Sequence, residues 1–250
     1  MKKIIVLATL GTFIFLFSCL KEDSINTDGS IFYGEQGNLG GGTVRSYVTF
    51  DYTGSLTSIG FNFTESMLQN LPAVPGMGNM VMLDLPAEAA GSGFKHLELD
   101  WNPNGHDPFP IYGFPHFDFH FYLVGMDELD SITGGPDMTP VESQFIPKDY
   151  SSGIMAIPKM GVHWTDSLSS EFHSAQFTHT FIYGFYKSKL LFVEPMITKA
   201  FLDSKVNIIL PVKQPEAFQK PGYYPSSYQI NYDPTNHEYN VSLVNLSKHG

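Results

Sequence analysis

Seven residues constrain this chain more than any others: His116-Phe117-Asp118-Phe119-His120-Phe121-Tyr122. Strict alternation fits a β-strand, where successive side chains point to opposite faces. One face then carries Phe117, Phe119, Phe121 and Leu123; the other carries His116, Asp118, His120 and Tyr122. The aromatic face has to be core. Lys95 to Trp101 repeats the pattern, with Leu97, Leu99 and Trp101 opposite His96, Glu98 and Asp100. The loop between the two, residues 102–115, holds four prolines together with His106 and Asp107. Antiparallel pairing of these strands, about 5 Å apart, would lay six titratable side chains on one patch of sheet.

The rest of the chain reads in the same way. Segments rich in Val, Ile, Phe, Tyr and Thr, separated by Gly and Pro, predict strands. They fall at 43–53, 56–63, 79–84, 94–101, 116–124, 154–165, 176–186, 189–194, 205–211, 226–232 and 238–246. The last two read as a terminal hairpin around Asp233-Pro234-Thr235-Asn236-His237. Helix signals are short: one or two turns at Thr64–Leu71, and Pro195–Ser204 with Pro195 as first helical residue. The predicted fold is mainly β, a single-domain antiparallel sandwich or barrel over 43–250 with a few short helices.

The chain opens with Lys2-Lys3, an apolar run from Ile4 to Phe17, and Ser18-Cys19. A basic start, a short apolar stretch and a small residue before a cut make a secretory signal peptide, residues 1–18. The run is shorter than the roughly 20 residues of a membrane span. Leu16-Phe17-Ser18-Cys19 resembles a bacterial lipobox, which implies lipid on Cys19, the one cysteine of the chain. A plain signal peptide with an incidental cysteine is the alternative. Residues 19–42 are polar and glycine-rich and read as the acylated cysteine and a flexible tether. Leu20-Lys21-Glu22-Asp23 fits either a surface-export signal or a solvated linker. The expected location is the cell envelope, anchored to a bacterial membrane, on its periplasmic or its outer side. A formal net charge of −11 and a single arginine, Arg45, exclude the clustered cations that nucleic acid needs.

The His and acid faces suit a divalent ion such as zinc, which accepts imidazole nitrogen and carboxylate oxygen. His116, His120 and His163 are the expected ligands; His96, His179 and Glu194 are further candidates, and Asp118 or Glu194 a fourth ligand or general base. The spacing is not H-E-x-x-H. A polar sheet face with hydrogen-bonded histidines, or one packed on a loop or second subunit, is the alternative. No G-x-S-x-G elbow or phosphate loop is present.

Five blocks together resemble a family of uncharacterised bacterial extracytoplasmic proteins related to a Thermus protein of unknown function. They are His96–His106, Pro115–Tyr122, Met160–Trp164, Thr178–Gly184 and Glu194–Thr198. The resemblance implies an extracytoplasmic setting, leaves a homo-oligomer open, and carries over a domain type with no established catalytic activity. Three functions compete: a metal-dependent hydrolase or lyase, a binding or assembly domain, and surface storage of metal or a small molecule. The second would use exposed aromatics such as Tyr223, Tyr224 and Tyr228 against a glycan or protein.

Overall fold

A computed structural model of the protein describes residues 29–76 and 78–250. The predicted signal peptide and Cys19 lie outside them. Fifteen strands are present among the described residues. They are β1 (Ser30–Leu39), β2 (Gly42–Phe50), β3 (Leu56–Thr64), β4 (Met80–Asp84), β5 (His96–Asn102), β6 (His116–Tyr122) and β7 (Gly135–Pro136). There follow β8 (Tyr150–Ser152), β9 (Met155–Ala156), β10 (Val162–Asp166), β11 (His179–Tyr186), β12 (Lys189–Thr198), β13 (Ile208–Pro211), β14 (Gly222–Asp233) and β15 (Glu238–His249). One sheet runs β1-β2-β3-β15-β14-β13 and the other β4-β5-β6-β12-β11-β10-β8, all pairs antiparallel. The predicted mainly-β sandwich is therefore what forms.

Its core is the aromatic face of β6 packed on the facing sheet. Phe61 lies 5.2 Å, ring to ring and edge-on, from both Phe119 and Phe121, and Phe63 stacks on Phe119 at 6.1 Å. Leu97, Leu99, Val241, Leu243 and Ile230 complete this layer, all fully buried. Each large side chain removed from water contributes about 1.5–3 kcal/mol, so the alternation of β5 and β6 fixes which face turns inward.

Three expectations are corrected. The tether was read as extending to residue 42, but Ser30–Leu39 is a strand paired with β2, and Gly40 (φ +56°) makes their turn. Glycine serves here as a hairpin corner. The expected helix from Pro195 reduces to α2 (Lys199–Asp203), capped by Thr198 Oγ1 accepting from Phe201 N at 3.2 Å. Pro195 instead sits inside the central strand β12. Its β12 neighbours pair with β11 continuously, while the ladder to β6 skips Glu194 and Pro195. Burial of Phe192, Val193, Met196 and Ile197 outweighs proline's preference for an edge. The single strand read at 154–165 is broken at Lys159 and Gly161, both with positive φ, into β9 and β10. The other helix of α type is α1 (Met126–Asp130). Among the described residues no helix is long and apolar enough to cross a membrane.

Candidate metal centre

The sheet register builds a polar patch on the face of β6 turned away from the core. β5 and β6 pair so that Glu98 faces His120, Asp100 faces Asp118 and Asn102 faces His116. On the other flank Met196 of β12 pairs with Asp118, which sets Glu194 beside His120. His163 of β10 pairs with Gly184 of β11. Having no side chain, Gly184 leaves room for the Phe192 ring, which a Cβ there would meet at 2.1 Å. His163 therefore reaches across β11 to Glu194. The patch is roofed on one side by Tyr112, Phe177, Ile182 and Met196 and on the other by Tyr122, Leu191, Phe192 and Leu129. His116, Asp118, His120 and Glu194 are consequently buried, although they are polar.

Seven buried side-chain atoms of this patch have no hydrogen-bond partner: His96 Nε2, Asp100 Oδ2, His116 Nε2, Asp118 Oδ1, both ring nitrogens of His120, and Glu194 Oε2. An unpaired buried polar atom costs about 1–3 kcal/mol. Such a concentration needs a partner that the other side chains do not supply.

The first cluster is His106, His116 and Asp118, with ligand atoms all within 4.8 Å of one another. His116 Nδ1 lies 2.7 Å from Phe114 O, and His106 Nδ1 lies 2.7 Å from Asp107 O. A carbonyl only accepts, so both Nδ1 atoms carry protons and both Nε2 atoms turn to Asp118. The distances are 3.1 Å from His116 to Oδ1 and 3.5 Å from His106 to Oδ2. The His116 contact lacks hydrogen-bonding geometry, since both its atoms stay unpartnered. Asp118 Oδ2 accepts from Asn102 Nδ2 at 2.7 Å, which fixes the carboxylate plane. Burial pushes the Asp118 carboxyl up, but the charges of His116 and His106 outweigh it and hold the group well below the usual carboxylate range. Burial likewise pushes His106 down, and Asp118 outweighs it, leaving His106 above the ordinary imidazole value.

The second cluster is His120, His163 and Glu194. Glu194 Oε2 stands 3.6 Å from His120 Nε2 and 3.7 Å from His163 Nε2. Burial drives His120 down to about 3 and His163 to about 4, so both rings are neutral near pH 7. Burial also pushes Glu194 well up, reinforced by Asp118, Asp100 and Glu98. A third group, Glu98, Asp100 and His120, shares His120 with the second. His120 Nδ1 lies 3.5 Å from Asp100 Oδ2. Burial raises both carboxyls of this group, Asp100 to about 9. His/carboxylate clusters of this composition can hold a metal ion.

The predicted residues are thus sorted into separate places. His116 belongs to one cluster, and His120, His163 and Glu194 to another. His106, in the proline-rich loop, was not among the expected ligands, yet it completes the first. Its signal was its position: a loop joining two paired strands has to return to the sheet edge. Gly105 (φ +67°) makes the fold-back, with a would-be Cβ 2.1 Å from Tyr112 O. His96 stacks on Tyr122 at 4.7 Å and joins no cluster. His179 faces the other way, with Nδ1 2.8 Å from Tyr228 Oη and its ring against Phe201. The tyrosines expected to be exposed are not: Tyr224 stacks on Phe218 and Tyr228 lies in the core, both buried, while Tyr223 is half-buried. Two cavities lie off the patch, one of about 400 Å³ beside Trp164 and Met138, the other of about 530 Å³ beside Phe114 and Phe201.

No curated protein and no solved structure matches the chain. Residues 51–101 match the family described as TTHB210-like, hypothetical protein TTHB210. That stretch runs through β3, β4 and β5 and carries His96, Glu98 and Asp100 of the patch. Through residues 51–101 the chain is related to the TTHB210-like family, which carries no assigned activity in its description.

Proposed function

We propose that the protein is a membrane-anchored lipoprotein of the cell envelope whose β-domain binds a divalent ion such as zinc at His106, His116 and Asp118. One observation carries the metal reading: two imidazoles present Nε2 to one buried carboxylate while each Nδ1 is held by a backbone carbonyl. Metal-bound histidines have this outer hydrogen bond, which fixes tautomer and ring orientation. Without a metal ion, lone pairs face the buried carboxylate unless the rings take up protons, so protons and a metal ion compete for the same Nε2 atoms. An ion with three protein ligands keeps a position for water and acts there as a Lewis acid. His106, the more open of the two rings, stands where an incoming molecule would arrive.

The anchoring part rests on Cys19 and the segment before it. Cys19→Ala is expected to move the protein from the membrane fraction to the soluble one; unchanged sedimentation with membranes would refute the anchor. Metal content after chelation and dialysis against zinc tests the site. Wild type should retain zinc, and His106→Gln/His116→Gln should lose the ion bound there while keeping its far-UV circular dichroism. Equal zinc in both proteins would overturn the assignment.

A further inference from the structure

We infer that the same sheet face holds a second, separate divalent ion, bound by His120 Nε2, His163 Nε2 and Glu194. The inference rests on the metal reading of this face and adds a site to it. No residue is shared between the two ligand sets. Glu194 Oε2 is the point of convergence, at 3.6 Å and 3.7 Å from the two Nε2 atoms, and it has no hydrogen-bond partner.

Hydrogen bonding alone does not satisfy this group. His120 faces a carboxylate oxygen at each ring nitrogen, Asp100 at Nδ1 and Glu194 at Nε2. A neutral imidazole has one N–H and one lone pair, so without a metal one of the two carboxyls would have to keep its proton, and neither contact, at 3.5 Å and 3.6 Å, pairs either ring nitrogen. An ion on the Nε2 side resolves both. Nδ1 then keeps its proton and Asp100 becomes the acceptor that orients the ring, a carboxylate–histidine–metal arrangement. The first cluster is built alike: Nε2 faces the ligand position and Nδ1 an oxygen.

The surroundings suit a metal better than a larger ligand. Phe192 packs edge-on against both rings, 4.8 Å from His120 and 5.4 Å from His163. His163, with 24% of its side chain accessible against 1% for His120, provides the way in. Asp118 and His120 are two residues apart on β6, about 7 Å along the strand, so two ions would sit side by side without a common ligand.

The test is zinc stoichiometry of the full chain, purified in detergent, stripped with chelator and dialysed against zinc. Wild type should bind about two equivalents, and His163→Gln/Glu194→Gln about one, because each closed ligand set holds one ion. His106→Gln/His116→Gln should also retain about one, and the fourfold variant none. Cobalt(II) absorption in each double variant gives a readout independent of stability, and the two spectra should sum to that of wild type. One equivalent in wild type, unaltered by His163→Gln/Glu194→Gln, would overturn the second site and leave the first standing. No zinc in any variant or in wild type would overturn both.

Discussion

At the scale of single residues, Asp118 is the pivot of the candidate site. It holds His106 above its ordinary pKa against the opposing effect of burial. The sign of the linkage follows. A histidine with a raised folded value adds stability that is complete below its unfolded value, about 6.5, and fades as pH rises through the folded one. Asp118 itself is held low, so its contribution is present above the unfolded carboxyl value, about 3.9, and lost only in strong acid. In chelator-treated protein, an NMR titration should place the His106 imidazole above 6.5. Asp118→Asn should lower it, because burial is then opposed only by the Asp107 carbonyl and carboxylate. A His106 value unchanged by Asp118→Asn would show that the contact seen here is not what sets it. Asp118→Asn should also weaken zinc binding by at least about a hundredfold in equilibrium titration, since a charged ligand is lost rather than an outer partner.

At the scale of elements, Gly184 shapes the face. At Gly184 a methyl group would drive into the Phe192 ring, which packs on His120 and His163. Gly184→Ala should cost about 1–3 kcal/mol in denaturant unfolding, the ordinary penalty of overpacking. It should also remove the second ion and leave the first. Retention of both ions would show that β11 does not set the position of His163. The strands β5 and β6 were legible in the sequence because their two faces differ so sharply: Leu97, Leu99, Trp101 and the Phe117–Phe121 row had one way to turn. That alternation predicts one shared polar face, while the register that sets Glu98 opposite His120 and Asp100 opposite Asp118 comes from the fold. What was not legible came from the third dimension. Pro195 looked like a helix start because proline suits that position, but burial on both sides of β12 decided otherwise. The division of His116 and His120 between two clusters depends on which neighbours β12, β10 and the loop at His106 bring, and strand order is not written in local spacing. Tyr228 was read as surface because tyrosines often sit there; its ring belongs to the inter-sheet core and its hydroxyl meets His179.

At the scale of the whole molecule, the two sheets do different work. The aromatic layer between them carries stability, and the outer face of the sheet that holds β5, β6 and β12 gathers the buried His and carboxyl groups. Phe119→Ala, which empties the centre of the layer, should lower unfolding free energy by about 3–5 kcal/mol. A loss under about 1 kcal/mol would mean that the sheets do not meet around this ring. Zinc should stabilise the entire fold, by about 2.7 kcal/mol for each occupied site at a free concentration a hundred times its dissociation constant. The shift should vanish in the fourfold variant. The metal-free protein should lose stability as pH rises from the unfolded carboxyl value, about 3.9, toward the raised Asp100 value of about 9, because the unfolded chain gives up a proton that the folded one holds. Bound zinc should flatten that decline.

The most direct measurement is anomalous diffraction at the zinc edge from crystals grown with the metal. The account predicts a peak about 2.0–2.2 Å from His106 Nε2, His116 Nε2 and an Asp118 oxygen. Crystals soaked in zinc with the sheet face intact and no peak at Asp118 would contradict it.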